Sequence, residues 1–295
     1  EVLGFLDDEI GEAFQYQMRR AGITLRLGEK VKNIQIIDPS HDDYPSMARS
    51  VVPEAAHLLP DENDPSPEGK PFGSLEDHDL VLATLESGKK IRAGTLLYSV
   101  GRQGLTKALG VEHAGLQADD RERLKVNENY QTEVGHIYAV GDVIGFPALA
   151  STAMEQGRLA AAHMFGAPCH SFNELFPFGI YAIPEISMVG KTEEELTDAG
   201  IPYEAGIANY NEIARGQLLG DENGMLKLLI HQETRELLGV HVIGSGATEL
   251  IHIGQTAMAL GGKVDYFANN VFNYPTLAEA YRVAALNGIN KILHL

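Results

Sequence analysis

The sequence predicts an α/β first part followed by an α+β second part, and three observations carry that prediction. An apolar run over residues 136–140 ends in Gly141-Asp142 and leads into a helical pattern over 149–165, the strand-turn-helix order of an open α/β sheet. Two apolar stretches, 225–230 and 237–243, flank a polar turn at 231–236 and read as paired strands. Helical patterns at 247–260 and 277–290 then follow without regular βαβ alternation, which separates this region as an α+β unit.

Taken in chain order, residues 7–21 read as a helix. Asp7 and Asp8 suit its N-terminus through capping and the helix dipole. Ile10, Phe14 and Met18 recur every fourth residue, and Gly22 marks the stop. Short strands are expected at 23–27 and 31–37. Between positions 39 and 71 lie seven of the thirteen prolines, with Asp61, Glu62, Asp64 and Glu68 and few large apolar residues. That composition reads as a solvated surface insertion. Residues 79–85 and 91–100 flank the turn Ser87-Gly88-Lys89-Lys90, so a β-hairpin is expected, and Gly101-Arg102-Gln103-Gly104 then breaks regular structure. In 149–165, Ala153, Gln156-Gly157 and Ala160-Ala161 give the helix a packing face of small residues. A third region starts near Leu175, where Thr192 and Glu195 have capping-box spacing. No internal repeat is present.

The chain has 295 residues, enough for about two domains. With 44% apolar and 22% charged residues it can bury a core. Its formal charge of −18 opposes general binding to nucleic acid or anionic membranes. The one cysteine, Cys169, allows no internal disulfide and no cysteine-rich zinc site, and fits a reducing cytoplasm. No apolar run approaches the ~20 residues of a membrane helix, and EVLGFLDDEI lacks a signal-peptide layout. The first residue is Glu1, not Met, so the chain is expected to be a piece of something longer.

Several motifs invite chemistry and fail. Gly244-Ser245-Gly246-Ala247-Thr248-Glu249 follows a strand and opens a helix, but Glu249 stands where a third glycine would admit a pyrophosphate; a tight strand-to-helix turn is the better reading. Gly190-Lys191-Thr192 lacks the phosphate-loop glycine five positions earlier, where Glu185 stands. His231, His241 and His252 have no paired spacing with a carboxylate, so no metal site is expected. There is no Gly-x-Ser-x-Gly elbow, and Cys169 reads as an inert thiol.

The informative stretch is 136–151. A strand ending in glycine lets a ligand approach closely, Asp142 can accept hydrogen bonds from sugar-like hydroxyls, and the next helix aims its free N–H groups at the same crevice. An acceptor that gains negative charge is stabilised there. A strand, a turn and a capped helix of no further function fit the spacing equally well.

This stretch resembles the second FAD-binding motif of the flavoprotein disulfide-reductase superfamily. Leu97-Tyr98-Ser99-Val100-Gly101-Arg102 resembles its crossover from the pyridine-nucleotide domain back to the FAD domain. Within the superfamily the soluble pyridine nucleotide transhydrogenase branch is most similar, through Phe5-Leu6-Asp7-Asp8-Glu9-Ile10, Gly179-Ile180-Tyr181-Ala182-Ile183-Pro184-Glu185-Ile186-Ser187, Ile251-His252-Ile253-Gly254-Gln255 and Phe272-Asn273-Tyr274-Pro275-Thr276. The resemblance implies partial Rossmann-like domains followed by an α+β dimerisation domain. Residues 1–98 would be the second half of the NAD(P)-binding domain with an insertion at 39–77, 99–169 the returning segment of the FAD domain, and 170–295 the dimerisation domain of a cytoplasmic homodimer. It implies FAD as cofactor and nicotinamide nucleotides as substrates. Asp142 would hold the ribityl or pyrophosphate part of FAD, the Leu149, Ala150 and Ser151 backbone would face the flavin pyrimidine edge, and Gly141, Gly101 and Arg102 would line the cofactor. Hydride would pass from NADPH to the flavin and on to NAD+.

Thiol-active relatives carry His where Tyr274 stands, paired with a Glu like Glu279 near the partner's flavin. A phenol, ordinarily ionising near pH ~10, is a poor proton shuttle at neutral pH, which disfavours a dihydrolipoamide-dehydrogenase-like reductase. Thr276 and Glu279 also have capping-box spacing, and capping is the role expected of Glu279. The family's glycine-rich FAD and nicotinamide motifs do not occur here, so a non-catalytic dimerisation module is the alternative from another class.

Overall fold

The computed structural model describes residues 2–38, 40–43, 79–168 and 175–294. The insertion expected at 39–77 lies outside the described residues except for 40–43, and Cys169 and the expected 169/170 boundary lie outside them altogether. The chain divides into two units: one holds Arg26–Gly101, the other Glu1–Leu25 with Arg102–Leu295.

The smaller unit is an antiparallel sheet of β1 (Val31–Ile37), β2 (Leu80–Leu85) and β3 (Lys90–Ala93), in that order. The hairpin between β2 and β3 is present as the sequence predicts, closed by Leu85 N–H donating to the Lys89 carbonyl at 2.8 Å. The second strand is shorter than expected. It ends at Ala93 instead of running to 100, and Leu97, Tyr98 and Val100 are exposed.

The larger unit opens with helix α1 (Asp8–Arg20), whose Ile10 and Phe14 are buried at the expected four-residue spacing. The strand expected at 23–27 does not form. Ile23 instead closes the helix end, donating its N–H to the Met18 carbonyl at 3.0 Å after Gly22 turns left-handed. A one-turn helix α2 (Thr106–Leu109) precedes a loop-rich span, and helix α3 (Ala150–Met164) matches the predicted 149–165.

After α3 the core is a five-stranded antiparallel sheet. Its strands are β4 (Phe178–Ile180), β5 (Ile186–Gly190), β6 (Tyr203–Asn209), β7 (Met225–His231) and β8 (Leu237–Ile243), ordered β4-β5-β8-β7-β6. Short helices α4 (Glu193–Asp198) and α5 (Ala214–Leu219) lie between strands, and α6 (Ala247–Ala259), α7 (Val264–Asn269) and α8 (Glu279–His294) follow them. The capping box predicted for Thr192 and Glu195 starts α4, with both reciprocal bonds in place at 3.2 and 3.0 Å.

Strand alternation sends Leu226, Leu228, Val240 and Val242 toward α6, α7 and α8, while Met225 and Ile243 meet Leu6, Ile10 and Phe14 of the α1 segment. Both faces are therefore covered, and β7 is buried along nearly its whole length. Leu6, Ile10 and Phe14, expected in a unit spanning 1–98, pack against Ile186, Met188, Met225 and Ile243 of the five-stranded sheet.

Candidate functional site

The segment expected to be a buried strand at 136–140 is not one. Its only ladder contact among the described residues is an isolated bridge between Tyr138 and Gln131, and Ala139 N–H donates to the Tyr130 carbonyl at 3.0 Å. With no neighbouring strand among the described residues, its apolar sequence alone does not make sheet. The turn that follows does form. Gly141–Ile144 is a single 3-10 turn, and Gly141 has φ +75°, a conformation open to glycine. A Cβ at Gly141 would also lie 3.1 Å from the Ala153 side chain, so the turn sits directly on α3.

Asp142 points out from this turn, and its carboxylate accepts from the Arg102 guanidinium at 2.9 Å. Both side chains are exposed, at 48% and 88%. Two of the predicted cofactor residues are thus paired with each other across a solvent-accessible edge. Gly101 has a left-handed φ of +107° and falls in the smaller unit.

Leu149, Ala150 and Ser151 form a second group. They line an open cavity of about 750 Å³ with Gly179, Tyr181, Thr248 and His252. No side chain caps α3 at Leu149, and the first intrahelical bond is Ala153 N–H to the Leu149 carbonyl at 2.9 Å. The N–H groups of the first turn therefore remain available beside this cavity. Gly141, Asp142 and Arg102 do not line it.

The other two predicted residues lie apart. Tyr274 is 74% exposed on the segment before α8. Glu279 begins α8 but does not cap it: Thr276 Oγ1 donates to the Asn273 carbonyl at 2.7 Å, and the Oε2 atom of Glu279 is buried without a partner among the described residues. The expected capping box fails because the Thr276 hydroxyl turns back to its own loop.

Sequence reasoning missed the strongest electrostatic feature. Lys227 on β7 is buried, and its ammonium meets Asp7 at 2.7 Å, Glu9 at 2.9 Å and Glu193. Asp7 stands at the N-cap position of α1 without capping it; its carboxylate instead accepts from Glu193 N–H, at 3.2 Å, in the first turn of α4. Burial opposes the charged ammonium, but hydrogen bonds to Asp7, Glu193 and Glu9 outweigh it and hold Lys227 above the ordinary lysine range. The Asp7 carboxyl, pushed up by burial, is pulled net below its usual range by His241 when cationic and by Lys227. His241, directly opposite Lys227 across the β7–β8 ladder, is pushed down by burial and is neutral at neutral pH, leaving Lys227 as the cation that keeps Asp7 ionised there. Converging carboxylates here hold an ammonium. An isolated Lys in an apolar strand at 225–230 was the available signal.

Residues 72–157 match the pyridine nucleotide-disulphide oxidoreductase family, and 176–285 match the dimerisation domain of that family. A protein of Mycobacterium tuberculosis named soluble pyridine nucleotide transhydrogenase is 47% identical over 291 residues, covering 99% of this chain and 54% of the relative. One of Vibrio cholerae with the same name is 45% identical over 295 residues, 99% of this chain and 55% of the relative. The chain spans about half the length of these relatives. Among solved structures, the HOCl-induced flavoprotein disulfide reductase RclA of Escherichia coli superposes with a TM-score of 0.77 at 20% identity, over 97% of this chain and 57% of that one, a likeness of fold. LpdA of Mycobacterium tuberculosis gives 0.64 at 26% identity over 70% of this chain and 45% of the other. Among the described residues no helix is long and apolar enough to cross a membrane.

Proposed function

We propose that the chain is an FAD-dependent transhydrogenase of the pyridine nucleotide-disulphide oxidoreductase family, or part of one, exchanging hydride between NADPH and NAD+. The observation that carries the reading is the uncapped first turn of α3, which opens onto a cavity of about 750 Å³ within a segment shared with the transhydrogenases.

The residues present fit a flavin. The glycine at position 141, with its left-handed φ, brings the backbone of the turn against α3 without a side chain in the way. Bound FAD would supply the hydride acceptor and donor. Asp142 would exchange its Arg102 partner for hydroxyls of the cofactor's polyol chain, freeing the guanidinium for the diphosphate. N–H groups of Ala150 and Ser151 would donate to the pyrimidine edge, where the positive end of α3 favours developing negative charge. Tyr274 and Glu279 would stand near the flavin of a partner subunit, in a homodimer formed through residues 170–295. Tyr274 stands where thiol-active relatives carry an imidazole, a phenol is a poor proton shuttle at neutral pH, and hydride exchange requires no such base. A cytoplasmic location accords with the single cysteine.

An absorption spectrum of the purified chain tests this reading. Stoichiometric FAD, with NADPH-dependent reduction of an NAD+ analogue, supports it. A colourless dimer supports the dimerisation module instead, and a flavin-containing chain that reduces disulfides but not NAD+ overturns the reading in favour of another reductase.

A further inference from the structure

One buried polar side chain beside the candidate site has no part in the reading above. On α3 the inward stripe is Thr152, Gln156 and Ala160, at i, i+4 and i+8. Gln156 is 5% exposed in a helix face otherwise made of small residues. A primary amide in that position is costly unless it is paired. Its Oε1 accepts from Gly141 N–H at 2.7 Å, a buried bond between groups fifteen residues apart.

The donor matters as much as the acceptor. Gly141 is the first residue of its 3-10 turn, so its N–H has no partner within that turn and would be orphaned without Gln156. The Ala153 side chain limits the approach of Gly141, and the Gln156 bond ties the first residue of the turn to α3, beside the bond that Leu124 N–H donates to the Val143 carbonyl at 2.8 Å. Asp142 follows immediately. Gln156 lies six residues beyond Ala150, about 9 Å along the helix. The bond therefore sets the offset between the carboxylate and the first turn of the same helix.

We propose that Gln156 is a positioning residue for the cofactor: through Gly141 it holds Asp142 in register with Ala150 and Ser151, so that one ligand can meet both groups. This rests on the flavin reading. Gln156 touches no ligand itself, and it acts through the backbone of the turn.

The test compares Gln156→Met, which keeps length and removes the acceptor, with Gln156→Glu, which keeps an acceptor oxygen in either protonation state. FAD affinity is measured by titration of the apo chain, and exchange at the Gly141 amide by hydrogen-exchange NMR. Gln156→Met is expected to weaken FAD about tenfold and to speed Gly141 exchange, while Gln156→Glu restores both. A residue of merely structural importance would instead lower the melting temperature of apo and FAD-bound chains equally and leave the affinity unchanged. Parent chain binding FAD no more tightly than Gln156→Met overturns the inference alone, as does unchanged Gly141 exchange. A parent chain that binds no FAD overturns the reading beneath it, and the inference with it.

Discussion

Lys227 and Asp7 are separated by 220 residues, and their side chains meet at 2.7 Å with almost no exposure. Strand β7 contributes the ammonium, and the start of α1 contributes the carboxylate. Removing either partner strands the other in a low-dielectric interior. Lys227→Met is expected to destabilise the larger unit by about 3–5 kcal/mol, since three carboxylates would then face one another without a cation. Urea denaturation of parent and variant at neutral pH measures it, and a loss below 1 kcal/mol, the ~0–1 kcal/mol scale of exposed pairs, would show that the pair is solvated.

Acid sensitivity follows from the same group. The Asp7 carboxyl titrates lower in the folded chain than in the unfolded one, so its stabilisation is complete above the unfolded value of 3.8 and disappears as the pH falls through the folded value. Asp7→Asn should remove this acid-dependent component, which denaturation midpoints between neutral pH and pH ~3 would reveal.

His241 acts earlier in the same titration. Burial lowers its folded pKa from the ordinary 6.5, so the unfolded chain binds the additional proton first. Stability is then expected to decline as pH drops below 6.5, and the decline should end once the folded imidazole also protonates. His241→Gln, which can still donate to the Lys191 carbonyl now 2.9 Å from Nε2, is expected to flatten that part of the profile. An unaltered slope would place the proton elsewhere.

Gly141→Ala adds a methyl group at φ +75° and 3.1 Å from the Ala153 side chain. The left-handed backbone costs about 1–2 kcal/mol for a residue with a Cβ. A lowered melting temperature together with weaker FAD binding is the expected result. Equal melting would mean the turn relaxes freely away from α3.

Gly206→Ala tests the packing of α8 on the sheet. A Cβ at Gly206 would lie 2.2 Å from the Ala284 carbonyl oxygen and 3.1 Å from Gly288 N. Backbone cannot yield there as a flexible side chain can, so overpacking of about 1–3 kcal/mol or more is expected. Urea denaturation of parent and variant measures it, and a loss below ~1 kcal/mol would show that α8 shifts to admit the methyl group.

Local sequence determined much of this molecule. The four-residue spacing in α1, the Thr192–Glu195 box, the small-residue face of α3 and the apolar strands β7 and β8 each follow from interactions within a few residues or from one repeating period. The Gly141-Asp142 turn and the helix after it were legible for the same reason.

Tertiary structure decided whatever required a distant partner. A strand exists only where another strand accepts its backbone bonds, and among the described residues 23–27 and 136–140 lie outside the sheets. Thr276 and Glu279 had the spacing of a cap, but loop geometry sent the hydroxyl elsewhere. Nothing near Lys227 announces Asp7, and nothing near Gln156 announces Gly141 as its partner. Those pairings arise because folding removes water from polar groups far apart in the chain, and each must then find a partner in space.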